Sequence, residues 1–188
     1  MQSNSNLSFT YNNPIHSISS AEGYEEDVMG ATMDAYLNGF EDPRRAVFFA
    51  LSSNGNYRGL RNGHKNGDIF KGDEGLSKPN IQQGTPYIWM TAAEVFFLRA
   101  EGALKQWDMK GTPEALYKSG IRASFEQHGV KNVENYLVST KVPARYPGFK
   151  ASPSAPAPSD ITVVWNTNST KKQLEQIITQ KWIAMYPL

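Results

Sequence analysis

The sequence predicts a mostly α-helical fold with one tetratricopeptide-like helix pair and long irregular loops. Helix-start signals recur along the chain, each followed by apolar residues at helical spacing. The stretches between them are rich in glycine, asparagine, serine and proline, which favour turns and loops. The predicted helices cover approximately residues 19–38, 91–106, 113–128, 132–139 and 170–186. Irregular loops are expected over 52–90 and 141–168.

The central helix pair has the clearest signals in the chain. Thr91 followed by Glu94 is a capping box, in which each side chain satisfies a backbone N–H at the helix start. Thr112 and Pro113 occupy the N-cap and N1 positions of the next helix, and Gly129 closes it. The two helices together have about the 34-residue length of a tetratricopeptide repeat.

The first and last helices are predicted from similar signals. Ser19 with Glu22 forms a capping box for the first helix, and Gly39 is expected at its C′ position. Thr170 with Gln173 forms a capping box for the last helix. An apolar stripe on that last helix comprises Leu174, Ile177, Ile178, Trp182 and Met185. Such a stripe needs covering, so we expect the chain to be a piece of a longer protein.

The tripeptide Asp42-Pro43-Arg44 is interpreted as structural. Asp42 would cap a helix, Pro43 would preset its backbone, and Arg44 would pair with a nearby carboxylate. The apolar run 46–51 that follows is compatible with a short helix or a strand, and periodicity does not decide between them.

The composition excludes several classes of function. The 188 residues include 19 basic and 18 acidic ones, giving a formal net charge of +1, and no basic run. A nucleic-acid-binding surface is therefore not expected. There are no cysteines, so this chain has no disulfide, thiol nucleophile or cysteine-ligated zinc. No apolar stretch is long enough to span a bilayer.

The loops carry the residue types that bind sugars. Sugar capture uses flat aromatic faces together with arginine, asparagine or aspartate side chains that bond to hydroxyl groups. The candidate ligand-binding residues are Tyr57, Arg58, Arg61, Tyr87, Trp89 and Tyr146. The alternative is that Tyr87 and Trp89 pack the start of the 91–106 helix, and that Tyr146 pins the proline-rich loop, residues 141–160, to the domain.

Nothing in the sequence indicates catalysis or a cofactor. Glycoside hydrolysis needs two carboxylates facing each other across a cleft, whereas Glu94 and Glu101 would lie on one helix face. No nucleophile elbow, P-loop or dinucleotide fingerprint is present. We therefore predict a protein that is not an enzyme and that binds no cofactor.

Metal sites are not predicted either. The three histidines are far apart in sequence, and His128 is interpreted as a helix C-terminal residue favoured by the helix dipole. Asp68, Asp73 and Glu74 do not have calcium-loop spacing and are interpreted as solvated loop charges.

Five phrases in order resemble the SusD/RagB family of outer-membrane nutrient-binding lipoproteins. They are NNPI at 12–15, DPR at 42–44, YIWMTAAEVFFLRAEGAL at 87–104, ALYKSGIRASFEQHGV at 115–130 and QIITQKWIAMYP at 176–187. The closest similarity is to the SusD-like subfamily, and the chain would be a partial domain from the C-terminal half. The resemblance implies a lipoprotein on the outward-facing surface of the cell outer membrane in Bacteroidota.

The resemblance also implies partners. Family members capture oligosaccharides, including starch-like nutrients, and deliver them to a TonB-dependent transporter of the SusC-like type. Membrane attachment is expected only through an N-terminal lipid of the full-length protein, which this chain does not carry. The second hypothesis is a helical protein-interaction scaffold that binds no sugar.

Overall fold

The computed structural model describes residues 2–3, 13–16, 27–63, 75–150 and 152–187, and it is mostly helical. The helices are α1 (Ala31–Gly39), α2 (Arg45–Phe48), α3 (Ala92–Leu104), α4 (Pro113–Gln127), α5 (Val133–Leu137) and α6 (Thr170–Ala184). A helical turn covers residues 14–16. Two short strands, β1 (Gln2–Ser3) and β2 (Tyr87–Ile88), pair antiparallel. Within these residues, no helix is both long and apolar enough to cross a bilayer.

Helices α3 and α4 form the predicted hairpin, and the predicted caps are confirmed. Thr91 accepts a hydrogen bond from the Glu94 N–H at 3.0 Å, and Thr112 accepts one from the Ala115 N–H at 3.2 Å. The helices approach closely because α4 has a glycine at the crossing. A Cβ atom added to Gly120 would lie 2.8 Å from the Phe97 ring. This hairpin packs against α6, so three helices share one core.

The first helix is shorter than predicted. It begins at Ala31, whereas the sequence predicted a helix over 19–38. The backbone before Ala31 is extended and pairs with two loop residues: the Met29 N–H donates to Ser77 O, and the Met29 carbonyl accepts from the Leu60 N–H, both at 2.8 Å. Tertiary pairing therefore replaces the helix here. The predicted capping box of Ser19 and Glu22 lies outside the described residues.

Gly39 is not the C′ residue that the sequence predicted. It is the last residue of α1, and the left-handed residue after the helix is Glu41, with φ of 50°. The glycine is required for another reason. A Cβ atom at Gly39 would lie 2.2 Å from the Ala144 backbone nitrogen and 2.5 Å from the Val142 carbonyl oxygen. The loop after α5 therefore crosses directly over the end of α1.

The start of α6 also differs from the prediction. The N-cap is Ser169, whose hydroxyl accepts from the Lys172 N–H at 3.3 Å, rather than Thr170. Asn166 draws the preceding turn together, because its Oδ1 accepts from the N–H groups of Asn168 and Ser169. The apolar stripe divides: Ile177 is buried, whereas Ile178 and Trp182 are exposed.

The run 46–51 contains both structures that its sequence allowed. Residues Arg45–Phe48 form α2, and Phe49 is extended, with φ of −133°. Phe48 and Phe49 are both buried and join the core formed by α1, α3, α4 and α6. The chain direction therefore changes between two core phenylalanines, which is why periodicity did not identify either element.

Candidate functional site

The structure separates the six predicted ligand-binding residues into two groups. Residues 57–61 meet the proline-rich loop at Tyr146 and Gly148. Tyr87 and Trp89 lie elsewhere, in and just after β2. The six residues therefore do not form one continuous site.

Tyr146 holds the first group together. Its side chain is buried, and its hydroxyl donates to the Gly59 carbonyl oxygen at 3.1 Å. Its backbone pairs with Ala155 through two hydrogen bonds of 3.0 and 2.9 Å. Arg58 adds a second link, from Nη1 to the Gly148 carbonyl oxygen at 3.3 Å. Tyr146 and Arg58 thus fix two sequence-distant loops to each other.

Helix α1 stabilises the junction between residues 57–61 and the proline-rich loop. The buried carboxylate of Asp34 accepts from the Gly59 N–H at 2.7 Å and from the Asn38 side-chain amide at 2.7 Å. Asn38 also donates to the Tyr57 carbonyl oxygen at 2.9 Å. The Tyr57 ring is half-buried beneath the Arg45 guanidinium, whose Cζ lies 5.2 Å from the ring centroid. Tyr57 is therefore held as part of the support rather than presented to solvent.

An open groove lies beside this junction. We call it the loop groove; its volume is about 890 Å³, and its lining includes Arg61, Tyr146, Pro156, Trp182 and Tyr186. This volume lies within the range of small-molecule sites. Its lining is mainly apolar, with Arg61, Asn62 and Asp27 among the polar groups. Arg61 and Asn62 are exposed, so their donors can reach a ligand in the groove.

Trp182 is the groove residue that sequence reasoning missed. It lies on the apolar stripe of α6, which the sequence analysis interpreted as a face that needs covering and not as part of a ligand site. In the structure, 41% of its surface is exposed, and its ring stands edge-on to Tyr36 with centroids 5.8 Å apart. The sequence signal that could have located the groove was the proline-rich loop, because its prolines 156 and 158 line the groove together with Trp182.

The second group is an exposed aromatic pair. Trp89 has 70% of its surface exposed, and Tyr87 stands perpendicular to it with ring centroids 5.8 Å apart. Trp89 therefore does not pack the start of α3, which was the alternative interpretation. An aromatic face held this way is available for stacking.

The Asp42-Pro43-Arg44 tripeptide is structural, as predicted, and Arg44 pairs with a carboxylate, but the predicted cap is wrong: α2 begins at Arg45, and its N-cap is Arg44 rather than Asp42. The Arg44 guanidinium binds the Asp42 carboxylate through Nε at 3.0 Å and Nη2 at 2.6 Å, and both side chains are fully buried. Arg44 also donates to Ser124 Oγ at 2.9 Å and to Gln180 Oε1 at 2.8 Å. The Tyr136 hydroxyl donates to Asp42 at 2.6 Å. One arginine therefore joins α4, α5 and α6 to the turn before α2.

This network perturbs the groups around it. Burial, followed by the Asp42 charge, raises the pKa of the Tyr136 hydroxyl well above its ordinary value. Burial alone would lower the pKa of the Arg44 guanidinium, but Asp42 and Tyr136 outweigh it and raise that pKa. Arg44 therefore stays charged, and Tyr136 stays protonated as a donor.

The family model for SusD-like proteins, described as Susd and RagB outer membrane lipoprotein, matches residues 1–188. The chain belongs to the SusD-like family. The resemblance drawn from the five sequence phrases is thereby confirmed. The family's description places its members at the outer membrane as lipoproteins.

Solved SusD homologues share this fold. One from Bacteroides thetaiotaomicron VPI-5482 is 37% identical with a TM-score of 0.84, over 94% of this chain and 39% of that chain. A chitin-binding SusD homologue from Flavobacterium johnsoniae is 38% identical with a TM-score of 0.84, over 96% of this chain and 38% of that chain. The SusD-like chain thus spans less than two-fifths of the length of these relatives. No curated protein matches it significantly.

The SusD-like chain shows no paired carboxylates arranged for hydrolysis on α3. Glu94 lies 3.8 Å from Lys181 of α6, and Glu101 pairs with Lys105 at 2.5 Å. Among the residues that the structure describes, no group of histidine, aspartate and glutamate could hold a metal ion. Asp68, Asp73 and Glu74 lie outside those residues.

Proposed function

We propose that this SusD-like protein binds oligosaccharides reversibly, without catalysis, in the loop groove. The observation that carries the proposal is the combination, in one open groove, of an exposed tryptophan face at Trp182 and an exposed guanidinium at Arg61. Aromatic faces stack on the C–H faces of sugar rings, and arginine donates to hydroxyl oxygens. Arg58 and Tyr57 position the groove without lining it, and Tyr146 both holds its loops together and lines it.

Tyr87 and Trp89 form a second contact surface in this proposal. Their exposed pair would stack on a sugar unit outside the groove, in the manner of a surface platform. One similar protein is described as chitin-binding, so N-acetylglucosamine oligomers are the first ligands to test. Maltooligosaccharides are the second, because the family resemblance implies starch-like nutrients.

The test is a glycan array followed by calorimetric titration of the protein at its full natural length. Trp182→Ala is expected to weaken binding roughly tenfold or more, since tryptophan anchors commonly carry at least that much binding energy. Trp107→Ala is the matched control, because Trp107 is 61% exposed and lies in the α3–α4 turn, outside the groove. Equal affinities for wild type, Trp182→Ala and Trp107→Ala would reject the groove as the site.

We also propose that the protein delivers its ligand to a TonB-dependent outer-membrane transporter. Exposed apolar side chains support a protein contact on the helices: Val95 and Leu98 on α3, and Ile178 on α6. The test is co-purification with the transporter from outer-membrane extracts. Val95→Asp with Leu98→Asp should abolish capture and preserve glycan binding. Val138→Asp, at the exposed C-cap residue that follows α5, should leave capture intact. Capture that survives the double substitution would reject this face.

A further inference from the structure

A second, smaller cavity lies next to the loop groove. Its volume is about 310 Å³, and its lining includes Phe48, Asn80, Ile81, Gln127 and His128. It is therefore bounded by α2, the C-terminal end of α4 and the loop that leads into β2. The volume is at the lower end of the range for small-molecule sites, which fits one small ring better than a long chain.

The described lining of this cavity carries no charge at neutral pH. Its polar residues are asparagine, glutamine, threonine and histidine, and its apolar wall includes Phe48 and Ile81. Burial, followed by the nearby Arg44 charge, lowers the pKa of His128 to about 4, so the ring is neutral. His128 is the C-cap residue of α4, the helix C-terminal position that the sequence predicted, but its neutral ring gains nothing from the helix dipole. An anionic ligand would find no counter-charge here.

The side-chain amides that line the cavity differ in how far they are buried. Asn13 is buried, donates from Nδ2 to the Thr85 carbonyl oxygen at 2.9 Å and accepts from the Ile15 N–H at 2.9 Å. It therefore holds the wall of the cavity in place. Asn80 and Gln127 are exposed. Gln127 Nε2 lies 3.4 Å from His128 Nε2, so the Gln127 amide oxygen and the Asn80 amide are the groups left to bond to hydroxyl groups of a ligand.

Tyr186 forms a common wall between the two cavities. It lines both, and its ring centroid lies 5.1 Å from that of Phe48 on the smaller side and 4.7 Å from that of Phe49 on the groove side. Pro187 also lines both cavities. The two cavities are therefore adjacent, with Tyr186 and Pro187 between them.

We propose that the smaller cavity is a second subsite, which takes one uncharged sugar unit of the same oligosaccharide that occupies the loop groove. Asn80 and Gln127 bond to its hydroxyl groups, and Phe48 and Ile81 provide the apolar wall. This inference rests on the proposed function. It adds a prediction of ligand specificity: neutral sugar units fit this subsite, whereas uronic and sialic acids, which carry a negative charge, do not.

The experiment is a calorimetric length series with N-acetylglucosamine and glucose oligomers of one to seven units, on the protein at its full natural length. The test variant is Asn80→Ala with Gln127→Ala, and the matched control is Asn135→Ala with Glu126→Ala, all at exposed positions. The test variant is expected to lose roughly tenfold in affinity for long oligomers, about 1.4 kcal/mol, and nothing for short ones. The control is expected to match wild type.

The other outcomes overturn the inference in distinguishable ways. Long oligomers that bind the test variant as tightly as wild type would reject the second subsite and leave the groove intact. A wild-type protein that binds no oligomer at any length would reject the proposed function and the subsite together. A long oligomer ending in a uronic acid should bind more weakly than its neutral counterpart, and equal affinity would reject the neutral specificity.

Discussion

The guanidinium of Arg44 is fully buried and lies against the carboxylate of Asp42, with Nη2 and Oδ2 2.6 Å apart. The pair is not isolated, because Ser124 and Gln180 accept two further hydrogen bonds from the same guanidinium. A buried pair of this kind needs such partners, since attraction between the charges alone does not offset their desolvation. The network thus makes packing of the helices dependent on one charged side chain.

Removing one member of this pair should destabilise the protein strongly. Arg44→Met leaves the Asp42 carboxylate buried without a counter-charge, and we expect the free energy of unfolding to fall by about 3–5 kcal/mol. Denaturant unfolding followed by circular dichroism measures it. Arg44→Met with Asp42→Leu should recover part of the loss. Lys110→Met, in an exposed pair with Asp108, is the control and should barely move the midpoint.

Substitution of Gly39 should disrupt the close packing between α1 and the loop that crosses it. In Gly39→Ala the new methyl group would meet the backbone of Ala144 at 2.2 Å, and backbone atoms cannot rotate away. We expect destabilisation of about 1–3 kcal/mol, as for overpacked sites. Gly30→Ala is the control, since a Cβ there meets nothing within 4 Å. Equal midpoints for the two variants would contradict this account.

Loss of the Tyr146 hydroxyl should loosen the floor of the loop groove. Tyr146→Phe leaves the buried Gly59 carbonyl oxygen without this donor, which costs about 1 kcal/mol of stability. Glycan affinity should fall as well, because the loops that carry Arg61 and Pro156 are no longer held together by that bond. Thermal unfolding and calorimetric titration measure the two effects. If Tyr146→Phe is less stable but binds glycan with unchanged affinity, the junction is not what keeps the groove able to bind.

The neutral state of His128 should make stability depend on pH. Its pKa in the folded protein is about 4, below the ordinary value of about 6.5 in the unfolded chain. Between these values the unfolded state binds more protons, so stability is fully present above pH 6.5 and falls as pH decreases towards 4. His128→Phe should show a shallower decline than wild type over this interval. Parallel declines, measured by denaturant unfolding at each pH, would exclude His128 as the cause.

Local features were predictable from the sequence, and long-range ones were not. The caps at Thr91 and Thr112 depend on residues three positions away, so their hydrogen bonds could be inferred directly. Arg44 finds Ser124 and Gln180 at separations of 80 and 136 residues, which no local pattern encodes. The predicted start of the first helix was too early, because helix signals do not reveal the pairing of Met29 with Ser77.

The candidate site shows the same limit. That the loop side chains bind sugar stays a prediction; of the six candidates, Arg61 and Tyr146 line the groove. It did not indicate that Tyr87 and Trp89 lie apart from them. Trp182 was missed because its apolar stripe was interpreted as a face that needs covering. Its place in the groove depends on which surfaces the other elements cover, and it is 41% exposed.

The partners of Arg44 come from both sides of the proline-rich loop: Asp42 and Ser124 precede it, and Gln180 follows it. The loop itself is exposed over residues 156–158 and takes no part in the network. Its length and composition can therefore change during evolution while the helices keep their mutual anchor. Under the proposed function, substitutions in this wall of the groove would change which oligosaccharide binds and leave the helical frame unaltered.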